Sequence, residues 1–207
     1  MEQQVPGTEG YAAAGQRFVA ATLALDFREL HQDFMPFFPQ TPGYILDIGA
    51  GIGRDAATFA GMGHSVIAVE PLVSFRHTGM NMYPASGVEW IDDALPALRM
   101  LEGMEDRFDF ILVSGVWHHI CPEEQQAAVA RTATLLKPGG ILALSLRNGP
   151  AGVGGHVFPT NGRQTIATAG QYGLTPLLWL EHQPSMMPGK QAVYWTKLVL
   201  KKQGDKE

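Results

Sequence analysis

Apolar positions along this chain alternate between two spacings from about residue 40 onward. Short, nearly continuous apolar blocks at 44–48, 65–69, 88–91, 108–113 and 140–146 read as strands. Stretches with helical spacing lie between them at 54–60, 72–80, 95–101 and 122–136, where Pro122 suits a first helical turn and Pro138-Gly139-Gly140 ends the last one. Such alternation predicts a parallel sheet with helices packed on it. Upstream, Phe18, Leu23, Leu25, Phe27 and Leu30 keep a helix-compatible spacing within 12–31 and stop before Pro36 and Pro39, so a cap helix or helix pair is expected behind a frayed start of about ten residues. Downstream come a glycine- and proline-rich loop at 148–159, a helix at 160–172, strands at 174–180 and 191–200, and a polar tail at 201–207 expected to be loose. With no repeat or linker to divide it, the chain reads as one domain over 1–207: a cap segment at 1–39, a core at 40–200 and the tail.

Composition narrows the class without naming a function. A length of 207 residues suits one α/β domain, and 45% apolar with 17% charged residues is ordinary for a soluble protein. No apolar run approaches a membrane span, and the first residues lack the positive start and apolar block of a signal peptide, so a cytoplasmic location is expected. A net charge of −5 argues against nucleic acid as a partner, and Lys197, Lys201 and Lys202 read as a solvated end. The single cysteine, Cys121, excludes an intrachain disulfide and reads as a small buried apolar residue. His118, His119 and Cys121 are too close in sequence to converge on one ion, so no metal is expected.

The most informative stretch is Asp47-Ile48-Gly49-Ala50-Gly51-Ile52-Gly53, where an apolar strand ends in an acid and runs into three alternating glycines before a helix. Glycine lets a chain turn with positive φ and lets a ligand lie against the backbone, and ligands of doubly wound sheets sit at the carboxyl ends of the strands. Residues 51–56 also satisfy the G-x-G-x-x-A form of a dinucleotide fingerprint, so an NAD-dependent oxidoreductase is the rival reading. The Asp47 carboxylate would repel a pyrophosphate and attract an ammonium. Glu70 ends the second strand, where a carboxylate accepts from both hydroxyls of a ribose in either reading. Asp92 and Asp93, before Ala94, end the third strand; an acid there suits an adenine amino group or caps the next turn, with Asp93 the favoured binder.

Taken together these residues resemble the class I S-adenosylmethionine-dependent methyltransferases. Asp47-x-Gly49-x-Gly51-x-Gly53 is similar to that family's first motif, Glu70 to its second-strand acid, Asp93-Ala94 to its adenine contact, 108–114 to its fourth strand, and Leu135-Leu136-Lys137-Pro138-Gly139-Gly140 to the lead into its fifth. The resemblance implies a three-layer Rossmann-like α/β sandwich with a seven-stranded, mostly parallel sheet, its last strand antiparallel, and an N-terminal helical cap. It also implies S-adenosylmethionine as cofactor and S-adenosylhomocysteine as product. The cofactor would lie across the first four strand ends, on Asp47, Gly49, Gly51, Gly53, Glu70, Asp92 or Asp93, Ala94 and Ser114, with Arg54 either at the methionine carboxylate or in a surface ion pair with Asp55.

Methyl transfer from a sulfonium needs alignment and exclusion of water, and a base only when the acceptor holds its proton at neutral pH. His119, and less well by position His118, follows the fourth strand as the candidate base, with packing or helix capping as the bland alternative. Trp117 reads as a pocket wall or as core. Arg147 and Asn148 precede the glycine-rich loop that carries His156, where a guanidinium suits an acceptor carboxylate, and Tyr11 of the cap is placed to close over the site. The motif typical of enzymes that methylate exocyclic base nitrogens is missing after the fourth strand, which points to a small-molecule acceptor at an O, N or S atom. A non-catalytic protein that binds the same cofactor is the remaining alternative.

Overall fold

A computed structural model describes residues 5–153 and 156–204. Among them seven strands form one sheet: β1 (Tyr44–Ile48), β2 (Ser65–Val69), β3 (Glu89–Ile91), β4 (Phe108–Val113), β5 (Leu136–Asn148), β6 (Leu174–Pro184) and β7 (Tyr194–Lys202), in the order β3-β2-β1-β4-β5-β7-β6. The first five are parallel, and β7 lies between β5 and β6 antiparallel to both. Six α-helices accompany them: α1 (Tyr11–Leu23), α2 (Phe27–Leu30), α3 (Arg54–Gly61), α4 (Val73–Met82), α5 (Pro122–Leu135) and α6 (Gly162–Gly170). This is the Rossmann-like sandwich that the glycine-turn motif implies. No helix among the described residues is long and apolar enough to cross a membrane.

Strand pleating sorts side chains onto two faces, and the chemistry falls on one of them. Leu46, Ile48, Ile67, Val69, Leu142 and Leu144 bury against α5 and α6 in one core, whereas Ile45, Val66, Ala68 and Ala143 bury against α2 and α3 in the other. By the same alternation Asp47, Glu70, Ser145 and Arg147 share the second face. There Phe27, Phe38, Phe59 and Phe110 meet ring to ring at 5.0–5.9 Å. Each such ring, fully buried, stabilises the fold by about 1.5–3 kcal/mol.

Several sequence expectations change. The predicted helix at 95–101 is only a 3-10 turn at Arg99–Leu101: Pro96 lacks a donor, Leu98 has φ 46°, and the Met100 amide donates to the Asp93 side chain instead of continuing a helix. The strand expected at 140–146 begins at Leu136, straight after α5, because Pro138-Gly139-Gly140 is absorbed as an irregular start in which the register with β4 shifts. Of the expected helix or helix pair within 12–31 the pair is found, as α1 and α2, and Phe27, Phe34 and Phe38 of the N-terminal segment join the core. Residues 5–10 are not frayed: Gly7 lies against His119, and Thr8 Oγ1 donates to the Val5 carbonyl at 2.7 Å. Lys201 and Lys202 of the expected tail belong to β7, and 205–207 lie outside the described residues, as do Gly154 and Gly155 of the predicted loop. Of the lysine cluster Lys201 is exposed as a solvated end would be, but Lys197 is not: its Nζ donates to Asp33 at 2.7 Å and to the Leu30 carbonyl at 3.0 Å, which ties β7 to the segment after α2. Cys121 is half-buried rather than core.

Candidate active site

The floor of the site is the turn between β1 and α3. Gly49, Gly51 and Gly53 have φ of 70°, 58° and 74°, and the Gly49 and Ala50 amides both donate to the Val69 carbonyl, which fastens the turn to the end of β2. A side chain at Gly49 would overlap Val116 Cγ2, and one at Gly53 would stand 2.6 Å from the Trp90 ring. At Gly51 the nearest atom is Phe18 Cε1, at 3.7 Å. Glu70 closes the turn from the β2 side, its carboxylate accepting from the Gly51 and Leu72 amides at 2.9 Å each. Burial pushes the Glu70 carboxyl up to about 7, although those two amides pull it down.

Asp47 is buried, and its Oδ2 has no hydrogen-bond partner. Burial, and the nearby Asp55 charge, hold its carboxyl well above the usual range, with Arg54 opposing. A buried acid with one unpartnered oxygen beside a glycine cradle fits a ligand that brings an ammonium, as the amino-acid end of S-adenosylmethionine does, and does not fit a pyrophosphate.

Arg54 makes the expected ion pair with Asp55 and also holds the N-terminal segment. Its Nε donates to Asp55 at 2.7 Å and its Nη1 to the Thr22 and Leu25 carbonyls at 2.8 and 3.2 Å, so it pins the end of α1 and the start of the α1–α2 link to the glycine turn. The ion pair with Asp55 is buried, not on the surface, and includes His31, whose Nε2 meets Asp55 Oδ2 at 2.8 Å. Burial alone would raise the Asp55 carboxyl; the His31 and Arg54 contacts hold it below its ordinary value. His31 carried no functional signal in the sequence, since a lone histidine in a helical stretch has no motif.

At the end of β3, Asp92 pairs with Arg76 at 2.6 Å, and Arg76 also holds the Glu70 carbonyl. The Asp93 carboxylate accepts from the Ala94 amide at 2.8 Å and from Met100 at 2.7 Å, so it caps the following turn. Asp93 and Ala94 line a pocket with Ile48, Gly49, Pro71 and His119 that runs from the glycine turn past the end of β4.

Beyond β4 the two histidines separate. His118 is buried, its Nδ1 without a partner, and burial drives its imidazole down to about 2. His119 lines the pocket. Its Nδ1 meets the His156 carbonyl at 2.8 Å, so Nδ1 carries the proton, and Nε2 is left to accept from the Tyr11 hydroxyl at 2.8 Å. Burial lowers the His119 imidazole, with the His156 carbonyl opposing, and raises the Tyr11 phenol to about 12, so both groups are neutral at pH 7. His156 thus acts through its carbonyl, while its ring packs edge-on against Phe158 at 4.8 Å. Tyr11 also stands edge-on to Phe18 and Phe75, which stack at 5.0 Å above the glycine turn. Phe75, Trp90 and Val116 were not singled out in the sequence, because only the folded chain brings them to the glycines.

The remaining expected site residues have these surroundings. Trp117 is not a pocket wall but lies fully inside the core of the α5 face. Asn148 spans Thr160, donating to its Oγ1 and accepting from its amide at 3.0 Å each, which closes the base of the 148–160 loop. Ser114 stands 3.5 Å from Ser145 Oγ, which accepts from the Gly115 amide at 2.8 Å. Arg147 is buried at the end of β5, its guanidinium donating to the Gly149 and Pro150 carbonyls.

Comparison with known proteins agrees with this geometry. The chain is 31% identical over 104 residues to a ubiquinone biosynthesis O-methyltransferase of Bradyrhizobium sp., a match spanning 50% of this chain and 40% of the relative. The match therefore spans less than half the length of that relative. Among solved structures, the fold is shared with the 1,6-didemethyltoxoflavin-N1-methyltransferase of Burkholderia thailandensis, at TM-score 0.61 and 22% identity over 99% of this chain and 93% of that one. It is also shared with a TehB-like SAM-dependent methyltransferase of Corynebacterium glutamicum, at TM-score 0.65 and 17% identity over 94% and 98%. The family model described as a methyltransferase domain matches residues 17–174, from within α1 to the start of β6 and so across the whole glycine-turn site. With that span matched on a seven-stranded sheet of this order, the chain belongs to the methyltransferase-domain family, on the class I fold.

Proposed function

We propose that this chain transfers a methyl group from S-adenosylmethionine to an oxygen atom of a small-molecule acceptor, with His119 as general base. The observation that carries this reading is the chain Tyr11–His119–His156, a neutral imidazole with one tautomer fixed and its Nε2 lone pair accepting from a phenol at a half-buried pocket. When bound, S-adenosylmethionine supplies a sulfonium methyl that is already electrophilic. The protein's share is then alignment and exclusion of water. Asp47 would offer its unpartnered carboxyl oxygen to the ammonium, Glu70 would accept from the ribose hydroxyls, and the Asp93–Ala94 edge of the pocket would take the adenine. Tyr11, Phe18 and Phe75 roof the glycine turn against solvent. A proton leaving an acceptor hydroxyl reaches His119 Nε2 through the Tyr11 hydroxyl, which gives up its own proton as it takes the other.

Oxygen is favoured because the Bradyrhizobium relative is named an O-methyltransferase and because a hydroxyl keeps its proton at neutral pH. The test is release of S-adenosylhomocysteine from S-adenosylmethionine with a panel of phenols, alcohols and amines. His119→Asn should keep product affinity and lose about 10²–10⁴-fold in kcat with a hydroxyl acceptor. Full turnover by that variant removes His119 from the reaction.

A further inference from the structure

Arg147 and Lys190 are two cations with no carboxylate partner among the described residues. Arg147 is buried, and two backbone carbonyls engage only part of its five-donor guanidinium. Lys190, on the loop between β6 and β7, brings its Nζ within 3.7 Å of the point where a side chain on Gly152 would begin, and Arg147 Nη2 stands 3.8 Å from the same point. The two charged heads therefore converge on a gap that exists because residue 152 is glycine. Like charges so placed repel each other, and the buried Arg147 guanidinium has in addition given up water, whereas Lys190 is half-buried and Gly152 exposed. An anion in the gap relieves both costs. The gap also lies toward the reacting end of the site, since Arg147 pairs in register with Trp195 of β7, whose ring stands 6.1 Å from that of His118, the neighbour of His119.

We propose that Arg147 and Lys190 form an anion subsite that holds a carboxylate or phosphate group of the methyl acceptor, so that the acceptor is an acidic small molecule. The guanidinium supplies a planar fork and the ammonium a movable point charge. This rests on the methyltransferase reading of the Tyr11–His119 site.

The protein is first titrated with S-adenosylhomocysteine. The saturated complex, whose own product carboxylate is then already bound, is titrated calorimetrically with inorganic phosphate and with benzoate, each against sodium chloride of equal ionic strength. Saturable binding of either anion, weakened about tenfold or more in Lys190→Gln, is expected. Tighter phosphate identifies a phosphorylated acceptor and tighter benzoate a carboxylic acid. Arg147→Gln should abolish binding, and if that buried variant fails to fold, Lys190→Gln at its half-buried loop position still decides. Wild-type protein that takes up the product but neither anion, or Lys190→Gln with wild-type anion affinity, overturns the subsite and leaves the methyltransferase reading intact. Protein that does not take up the product overturns both.

Discussion

Adjacent histidines with opposite surroundings show how far a single residue's chemistry depends on what packs around it. His118 and His119 were legible as a pair of candidates after the fourth strand, but nothing in the letters separates a ring sealed beside Trp195 from one that meets Tyr11 and the His156 carbonyl. The buried ring has a measurable consequence. In the unfolded chain His118 takes up a proton below about pH 6.5, whereas the folded ring stays neutral down to about 2. Stability contributed by the neutral ring is therefore present above pH 6.5 and is lost as the pH falls below it. His118→Phe has no such proton to bind. The difference in unfolding free energy between wild type and this variant, from urea denaturation, should shift by about 2 kcal/mol against the wild type between pH 7 and pH 5. A pH-independent difference would show that His118 is accessible to protons in the fold.

At the level of elements, the β1–α3 turn was the most legible part of the molecule, because three glycines after an acid leave few conformations open. Its fit to neighbours was not legible: Val116, sixty-odd residues on, fills the space that Gly49 leaves, and Trp90 the space at Gly53. Gly49→Ala thus meets two separate penalties, a positive φ and an overlap with Val116. It should cost about 1–3 kcal/mol of stability and weaken S-adenosylhomocysteine binding. Adding Val116→Ala removes the overlap but not the φ, so the double variant should regain part of the loss in a double-mutant cycle. Additive losses would mean that backbone conformation alone demands the glycine. The turn at Arg99–Leu101 has a more local origin, since the Asp93 side chain, seven residues before Met100, takes the donor a helix would have used.

For the molecule as a whole, the N-terminal segment is bound to the site through Arg54, whose one guanidinium reaches Asp55 and two carbonyls at the end of α1 and beyond. Arg54→Lys keeps the charge but offers a point donor in place of a fork, giving up contacts worth about 1.5–3 kcal/mol each where charge-assisted. Amide exchange over residues 11–25 should accelerate in this variant and product affinity should fall, while exchange in β4 and β5 stays slow. Unchanged exchange over 11–25 would mean that aromatic packing by Tyr11 and Phe18 suffices to hold the segment. The sequence by itself determined the alternation of strands and helices, the sheet they build and the ligand end of that sheet, because hydrophobic spacing and glycine stereochemistry are local properties that each residue carries with it. Which acid keeps an unpartnered oxygen, which histidine meets the Tyr11 hydroxyl, and which two cations face one gap were decided only by tertiary structure, because desolvation and pairing depend on atoms that arrive from far along the chain.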